Sequence, residues 1–171
     1  MPESVEIPAP VSTTTRAAWS IQARTLEVPM SSPASPVLPF DTLIVLPWPD
    51  PVVDAVGHDP RSPYVEQFWL GVLGPSATWL LRRLADAFDA HPDGFELDLQ
   101  EMAGALGLSA TSGRNSSFAR TLQRCVQFGL AQPHSHGMRV RRRLPPLSHR
   151  QLGRLPAALQ EQHERWVSAA G

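Results

Sequence analysis

Asp98-Leu99-Gln100-Glu101-Met102-Ala103-Gly104-Ala105-Leu106-Gly107-Leu108, followed after a polar stretch by Phe118-Ala119-Arg120-Thr121-Leu122-Gln123-Arg124-Cys125-Val126-Gln127-Phe128-Gly129-Leu130, decides the reading of this chain. The first run opens with a carboxylate at the N-cap and Glu101 three positions on, the spacing of a capping box. Met102, Ala103 and Leu106 then share one helical face, and Gly107 is a natural C-terminal stop. Ser109-Ala110-Thr111-Ser112-Gly113-Arg114-Asn115 reads as a polar turn. A second helix over 116–128 carries Phe118, Leu122, Cys125 and Val126 on its apolar side and ends at Gly129. After Leu130 the hydrophobic period changes to two, around the turn chemistry of Pro133-His134-Ser135-His136-Gly137. Residues 130–144 therefore read as a β-hairpin.

Upstream, Tyr64, Val65, Phe68, Trp69, Val72 and Leu73 recur at helical spacing until Gly74-Pro75 interrupts them. A helix over 75–90 places Leu80, Leu81, Leu84 and Phe88 on one side. His91-Pro92-Asp93-Gly94 is a turn, and Phe95-Glu96-Leu97 alternates like a short strand. Downstream, Pro145-Pro146 ends the hairpin, and Ser148-His149-Arg150-Gln151 repeats the capping-box spacing. Pro156 divides the C-terminal region into a short turn and a helix to residue 168. There Leu152, Leu155, Leu159 and Trp166 either extend the core or form a dimer seam. Trp69, Trp79 and Trp166 are expected to serve helix packing.

Twelve of the 18 prolines lie in residues 1–63, in clusters such as Pro8-Ala9-Pro10 and Pro47-Trp48-Pro49 that continue neither helices nor central strands. Residues 1–62 are thus expected to be an acidic, largely disordered arm. Leu43-Ile44-Val45-Leu46 stands apart: its composition suits either a docked edge strand, with Trp48 beside it, or a continuation of the arm. The expected organisation is this arm, a folded domain over 63–147 and a helical extension over 148–171. The expected class is mainly α with a small β-hairpin.

This order of helix, helix, short strand, short helix, turn, longer helix and hairpin resembles the bacterial winged helix-turn-helix DNA-binding superfamily, near its regulator and replication-initiator types. Residues 98–108 look like the first helix and turn of that motif, and residues 118–130 are similar to its recognition helix running into the wing. The turn between them is several residues longer than the usual three or four. The resemblance implies a winged helix-turn-helix preceded by two helices, with helix 116–128 in the major groove of double-stranded DNA and hairpin 130–144 along the backbone. Such proteins often bind as dimers, so a homodimer through the C-terminal helices is also expected.

Charge points the same way. The net charge of −1 conceals a division: residues 1–101 hold fourteen acids and five arginines, whereas residues 102–160 hold nine arginines and no acid. With no lysine in the chain, every cationic side chain outside histidine is a guanidinium, suited to bidentate contact with phosphate and guanine. On the 116–128 helix, Ser117, Arg120, Thr121, Arg124 and Gln127 are expected to share the face opposite the apolar side. Arg114 and Asn115 would stand at its N-terminus, where the helix dipole favours phosphate. In the hairpin, Met138, Val140 and Leu144 alternate with Arg139, Arg141 and Arg143, so these arginines are expected to point outward. Arg142 breaks the alternation, as at a fraying strand end. Guanidinium, hydroxyl and amide groups on an acid-free face are those that contact base edges and phosphates.

Other chemistry is not expected. There is no phosphate-binding glycine loop, nucleophile elbow or dinucleotide fingerprint, so neither catalysis nor a cofactor is anticipated. His134, His136 and His149 with Cys125 match no common zinc spacing. His58-Asp59-Pro60-Arg61-Ser62 reads as a turn into the next helix. One cysteine excludes a disulfide within the chain and suits a reducing cytoplasm. Neither a basic start with an apolar block nor a membrane-spanning apolar run is present. The expected function is a cytoplasmic DNA-binding transcriptional regulator whose N-terminal arm is open to a protein partner. The alternatives are a winged-helix adaptor for another protein and a replication or plasmid-maintenance factor.

Overall fold

The structure, a computed structural model, describes residues 42–109, 116–135 and 137–170. Its first element is strand β1 (Thr42–Pro47), with Val45 fully buried. Helix α1 (Pro51–Val56) follows, capped by the Asp50 carboxylate, which accepts from the amides of Val52 and Val53 at 3.1 and 3.2 Å. Pro51 in the first turn presets the backbone for it.

The apolar pairs 64/65, 68/69 and 72/73 recur every four residues, whereas an α-helix would rotate each successive pair by about 40°. A π-helical segment, Val65–Trp69, widens the turn before α2 (Leu70–Leu73), and all six side chains are buried. Helix α3 (Pro75–Ala90) buries Leu80, Leu81, Leu84 and Phe88 on one side, as its periodicity requires. Phe68, Leu80, Leu84 and Phe88 are at most 1% exposed, each contributing roughly 1.5–3 kcal/mol through burial.

Strand β2 (Phe95–Asp98) leads into α4 (Leu99–Ala105), where the Asp98 carboxylate accepts from the Glu101 amide at 2.8 Å. Helix α5 (Ser117–Gln127) is capped by the Ser116 hydroxyl, which accepts from the Ala119 amide at 3.0 Å. Both helices end on left-handed glycines, Gly107 and Gly129. In each, the next residue's amide returns to the last turn, Leu108 to the Ala103 carbonyl and Leu130 to that of Cys125. Strands β3 (Ala131–His134) and β4 (Gly137–Val140) form the hairpin. Helices α6 (His149–Leu152) and α7 (Ala157–Ala170) complete the chain, and Gln151 Oε1 accepts from both the amide and the hydroxyl of Ser148.

The four strands form one sheet in the order β2-β1-β4-β3, so the fold is mixed α/β rather than mainly α with only a small hairpin. Strand β1 runs antiparallel to β2 and parallel to β4, with Ile44 opposite Gly137 and Leu46 opposite Arg139. Val45, Phe95, Leu97, Ala131, Met138 and Val140 are buried on the sheet and join the helical core.

Two expectations change. Residues 42–62 belong to the folded unit instead of an arm ending at 62, and Leu43–Leu46 is a central strand, not an edge. The proline-rich flanks concealed it: Pro47 ends the strand opposite Val140, and the Trp48 amide rather than a proline donates to the Val140 carbonyl, at 2.8 Å. The unit is closed further by reciprocal backbone hydrogen bonds between His58 and Leu144, at 2.7 and 2.8 Å. In the C-terminal extension Leu155 is buried, and Leu152, Leu159 and Trp166 pack partly buried on the core of their own chain. These residues thus extend the core of their own chain. Among the described residues no helix is long and apolar enough to cross a membrane.

Candidate nucleic-acid interface

Helix α5 buries Phe118, Thr121 and Cys125 and exposes Arg120, Gln123, Arg124 and Gln127. Thr121 is a correction to the expected outward face. At three and four residues from its buried neighbours it lies on their side of the helix, 6% exposed, with its hydroxyl donating to the Ser117 carbonyl at 2.9 Å. Ser117 is also engaged: its hydroxyl accepts from the Ser109 amide at 3.0 Å and donates to the Ser109 carbonyl at 3.2 Å. These contacts tie the end of the α4 turn to the first turn of α5. Gln123 takes the place of Thr121 on the open face. The i, i+3, i+4, i+7 spacing of 120, 123, 124 and 127 carried that signal, and the sequence reading passed over Gln123. Arg114 and Asn115 lie outside the described residues.

The arginines differ sharply in their surroundings. Arg120 and Arg139 are exposed, and among the described residues neither has an acid within ion-pair distance. Arg139 stands on β4 opposite Leu46 and Gln132. Arg124 is exposed yet anchored, its Nη2 donating to the Val72 carbonyl at 2.8 Å and its guanidinium 5.5 Å from the Phe128 ring centre.

Arg141 does not point outward. Its side chain is 15% exposed, it is ion-paired with Asp50, and its Nε donates to the Gly129 carbonyl at 2.8 Å. Arg143 donates from Nη1 to the Gly57 carbonyl at 2.9 Å. Arg142 approaches Asp89 at 3.6 Å. The physical reason is that β4 ends at Val140. Period-two alternation therefore stops governing side-chain direction, and Leu144 is buried through its bridge to His58 rather than as part of the strand.

The separation of charge along the chain is thus partly undone in space. Asp50 and Asp89, from the acidic half, meet Arg141 and Arg142 from the basic half. The Arg141 hydrogen bond, with the amides of Val53 and Val52, holds the Asp50 carboxyl below its usual range. Arg61 gathers Asp59, Asp86 and Asp89 at 2.9, 2.9 and 2.6 Å, fixing the 59–61 turn against the end of α3.

Cys125 is buried, and burial pushes its thiol up to about 12, leaving it a core group rather than a nucleophile. His134 and His149 are exposed, and His136 lies outside the described residues. Among the described residues no cluster of three His, Cys, Asp or Glu side chains is placed to hold a metal ion. Comparison with protein-family models, with curated proteins and with solved structures returns no match for this chain.

Proposed function

We propose that the chain is a DNA-binding protein of the winged helix-turn-helix kind, acting as a transcriptional regulator, with α5 as its reading helix. One observation carries this: the open face of α5 combines Arg120, Gln123, Arg124 and Gln127 without an acid. Those side chains supply bidentate donors for guanine and amide pairs for adenine, alongside phosphate contacts. The order α3, β2, α4, α5, β3, β4 supports the reading, since it sets α5 directly before a hairpin whose Arg139 is free to meet the backbone. In this reading Arg139 and the exposed Arg143 remain from the expected wing arginines, and Arg141 serves the fold.

The test is a mobility-shift titration of the full chain against mixed-sequence duplex DNA over a range of salt. Binding that weakens steeply with salt supports the reading. No shift at about 50 mM salt removes it. A second reading, an adaptor for another protein, is favoured by the internal pairing of Arg141 and Arg142, which lowers the charge left for a polyanion. Absent DNA binding, with the α5 face still protected by a captured acidic protein, would select it.

A further inference from the structure

Three rings meet where the C-terminal helix rests on the domain. The His58 imidazole stacks on the Tyr64 ring, 3.6 Å between centres and 13° between planes. His163, from α7, meets the Tyr64 hydroxyl through Nε2 at 2.9 Å. That hydroxyl also accepts the Leu147 amide at 3.0 Å, and the arrangement that satisfies its own proton in this buried site has it donating to an unprotonated Nε2 of His163. Phe68 and Trp166 close the cluster, Phe68 with its ring centre 5.0 Å from that of His163. His163 is 8% exposed.

We propose that His58, Tyr64 and His163 form an acid-released latch for α7: protonation of His163 frees the helix and bares the aromatic surface of Tyr64 and Phe68.

The chemistry follows from the proton count. A protonated imidazole has N–H on both nitrogens and accepts nothing, so the Tyr64 hydroxyl proton loses its acceptor in a buried site. The new charge also faces His58, behind which stands Arg143 from the segment after β4. Of the acids nearby, Glu164 on α7 favours the charged form of His163. Asp59, beside His58, is held by Arg61, and Glu66 in the π-helical segment is paired with Arg82 at 3.5 Å.

Burial lowers both histidines from the ordinary imidazole value, and for His58 the charges of Arg143 and His163 add to it. A histidine depressed in the docked state favours docking above about pH 6.5, and that preference drains away as the pH falls below it. Helix α7 yields first because its anchorage is small. Apart from His163, the residues holding it, Leu159 and Trp166, are only partly buried, whereas α3 buries an entire face.

Hydrogen exchange of the full chain, resolved by element at pH 7.5 and 5.0 and corrected for intrinsic rates, tests this. Protection across α7 is expected to fall by about tenfold or more at the lower pH, while β1 and α3 keep theirs. His163→Gln, whose amide oxygen still accepts from Tyr64 and does not titrate, is expected to abolish the pH dependence. Unchanged α7 protection in the wild type, equal loss in α7 and α3, or an undiminished acid response in His163→Gln each overturns the proposal. If that variant does not fold, the element-by-element comparison in the wild type decides alone.

Discussion

The guanidinium of Arg141 lies over the Trp48 ring, 4.1 Å from its centre. With Asp50 and the Gly129 carbonyl as its other partners, it joins the segment leaving β1 to the corner where α5 turns into β3. The position of the candidate reading helix therefore depends on residues far away in sequence that carry the opposite charge.

Replacing Arg141 by methionine keeps much of its volume but removes the ion pair with Asp50 and the donor to the Gly129 carbonyl. Urea denaturation is expected to show a loss of about 2 kcal/mol, typical of removing charged hydrogen bonds. Arg139→Ala, on the open face, is expected to stay within about 0.5 kcal/mol of wild type. Equal losses in the two variants would contradict the division between fold-bearing and free arginines.

The same division separates the arginines in DNA binding. Arg120→Ala and Arg139→Ala are each expected to reduce the slope of log affinity against log salt by about 1. Arg141→Ala, whose guanidinium is already committed to Asp50 and the Gly129 carbonyl, is expected to leave the slope unchanged. Fluorescence anisotropy at several salt concentrations reads this directly, and a slope change confined to Arg141 would reverse the assignment.

Two glycines give opposite expectations. A methyl group at Gly137 would be driven into the Ile44 carbonyl, where β4 runs against β1, so Gly137→Ala is expected to cost on the order of 3 kcal/mol. At Gly104, inside α4, the added methyl meets nothing within 4 Å, so Gly104→Ala is expected to stabilise by about 0.5–1 kcal/mol. Thermal unfolding of the two variants, shifted in opposite directions, is the outcome to look for.

Acid should weaken the fold in two stages. The carboxyls of Asp50 and Asp59 are lowered by hydrogen bonds from Arg141 and Arg61 respectively. A depressed carboxyl contributes fully above about pH 4 and loses that contribution as the pH falls through its folded value. Stability measured from pH 7 to 3 should decline first from the histidines and again below about pH 4. Asp50→Asn should flatten only the second decline.

Removing residues 1–41 leaves β1 and its partners intact and is expected to preserve a single cooperative unfolding transition. Extending the deletion through Pro47 removes a central strand and should abolish it. The expected acidic arm runs to residue 62; if the part of it before the folded unit, with Glu3, Glu6, Glu27 and Asp41, competes with DNA for the α5 face, the shorter deletion will also tighten DNA binding, which the same anisotropy titration measures.

Local chemistry made much of the fold legible. The caps at Asp98 and Ser148, the left-handed stops at Gly107 and Gly129 and the apolar side of α3 each depend on residues within a turn or two. Strand β1 was illegible because its partners lie at residues 95–98 and 137–140, and no local period announces a parallel neighbour. In the candidate site, Arg120 and Gln127 followed from helical spacing alone. Thr121 did not, because the buried arc of α5 is centred closer to it than the apolar residues implied. Arg141 was misread because alternation was carried past Val140, where the ladder stops and its side chain turns toward Asp50 and the Gly129 carbonyl, partners that sequence spacing cannot locate.

The parallel pairing of β1 with β4 also bears on the order in which the molecule can assemble. Among the described strands β1 is synthesised first, yet one of its two neighbours is made last, and its other neighbour lies some 50 residues away. Of these strands only β3 and β4 are close enough to pair as a local hairpin. Non-local pairing of this kind slows folding, because loop-closure entropy is spent before any contact is gained. The β3–β4 hairpin is therefore expected to form early and the parallel β1–β4 pairing late. A chain lacking residues 137–140 would keep the β2 side of β1 paired and lack the partner that β4 provides on its other side.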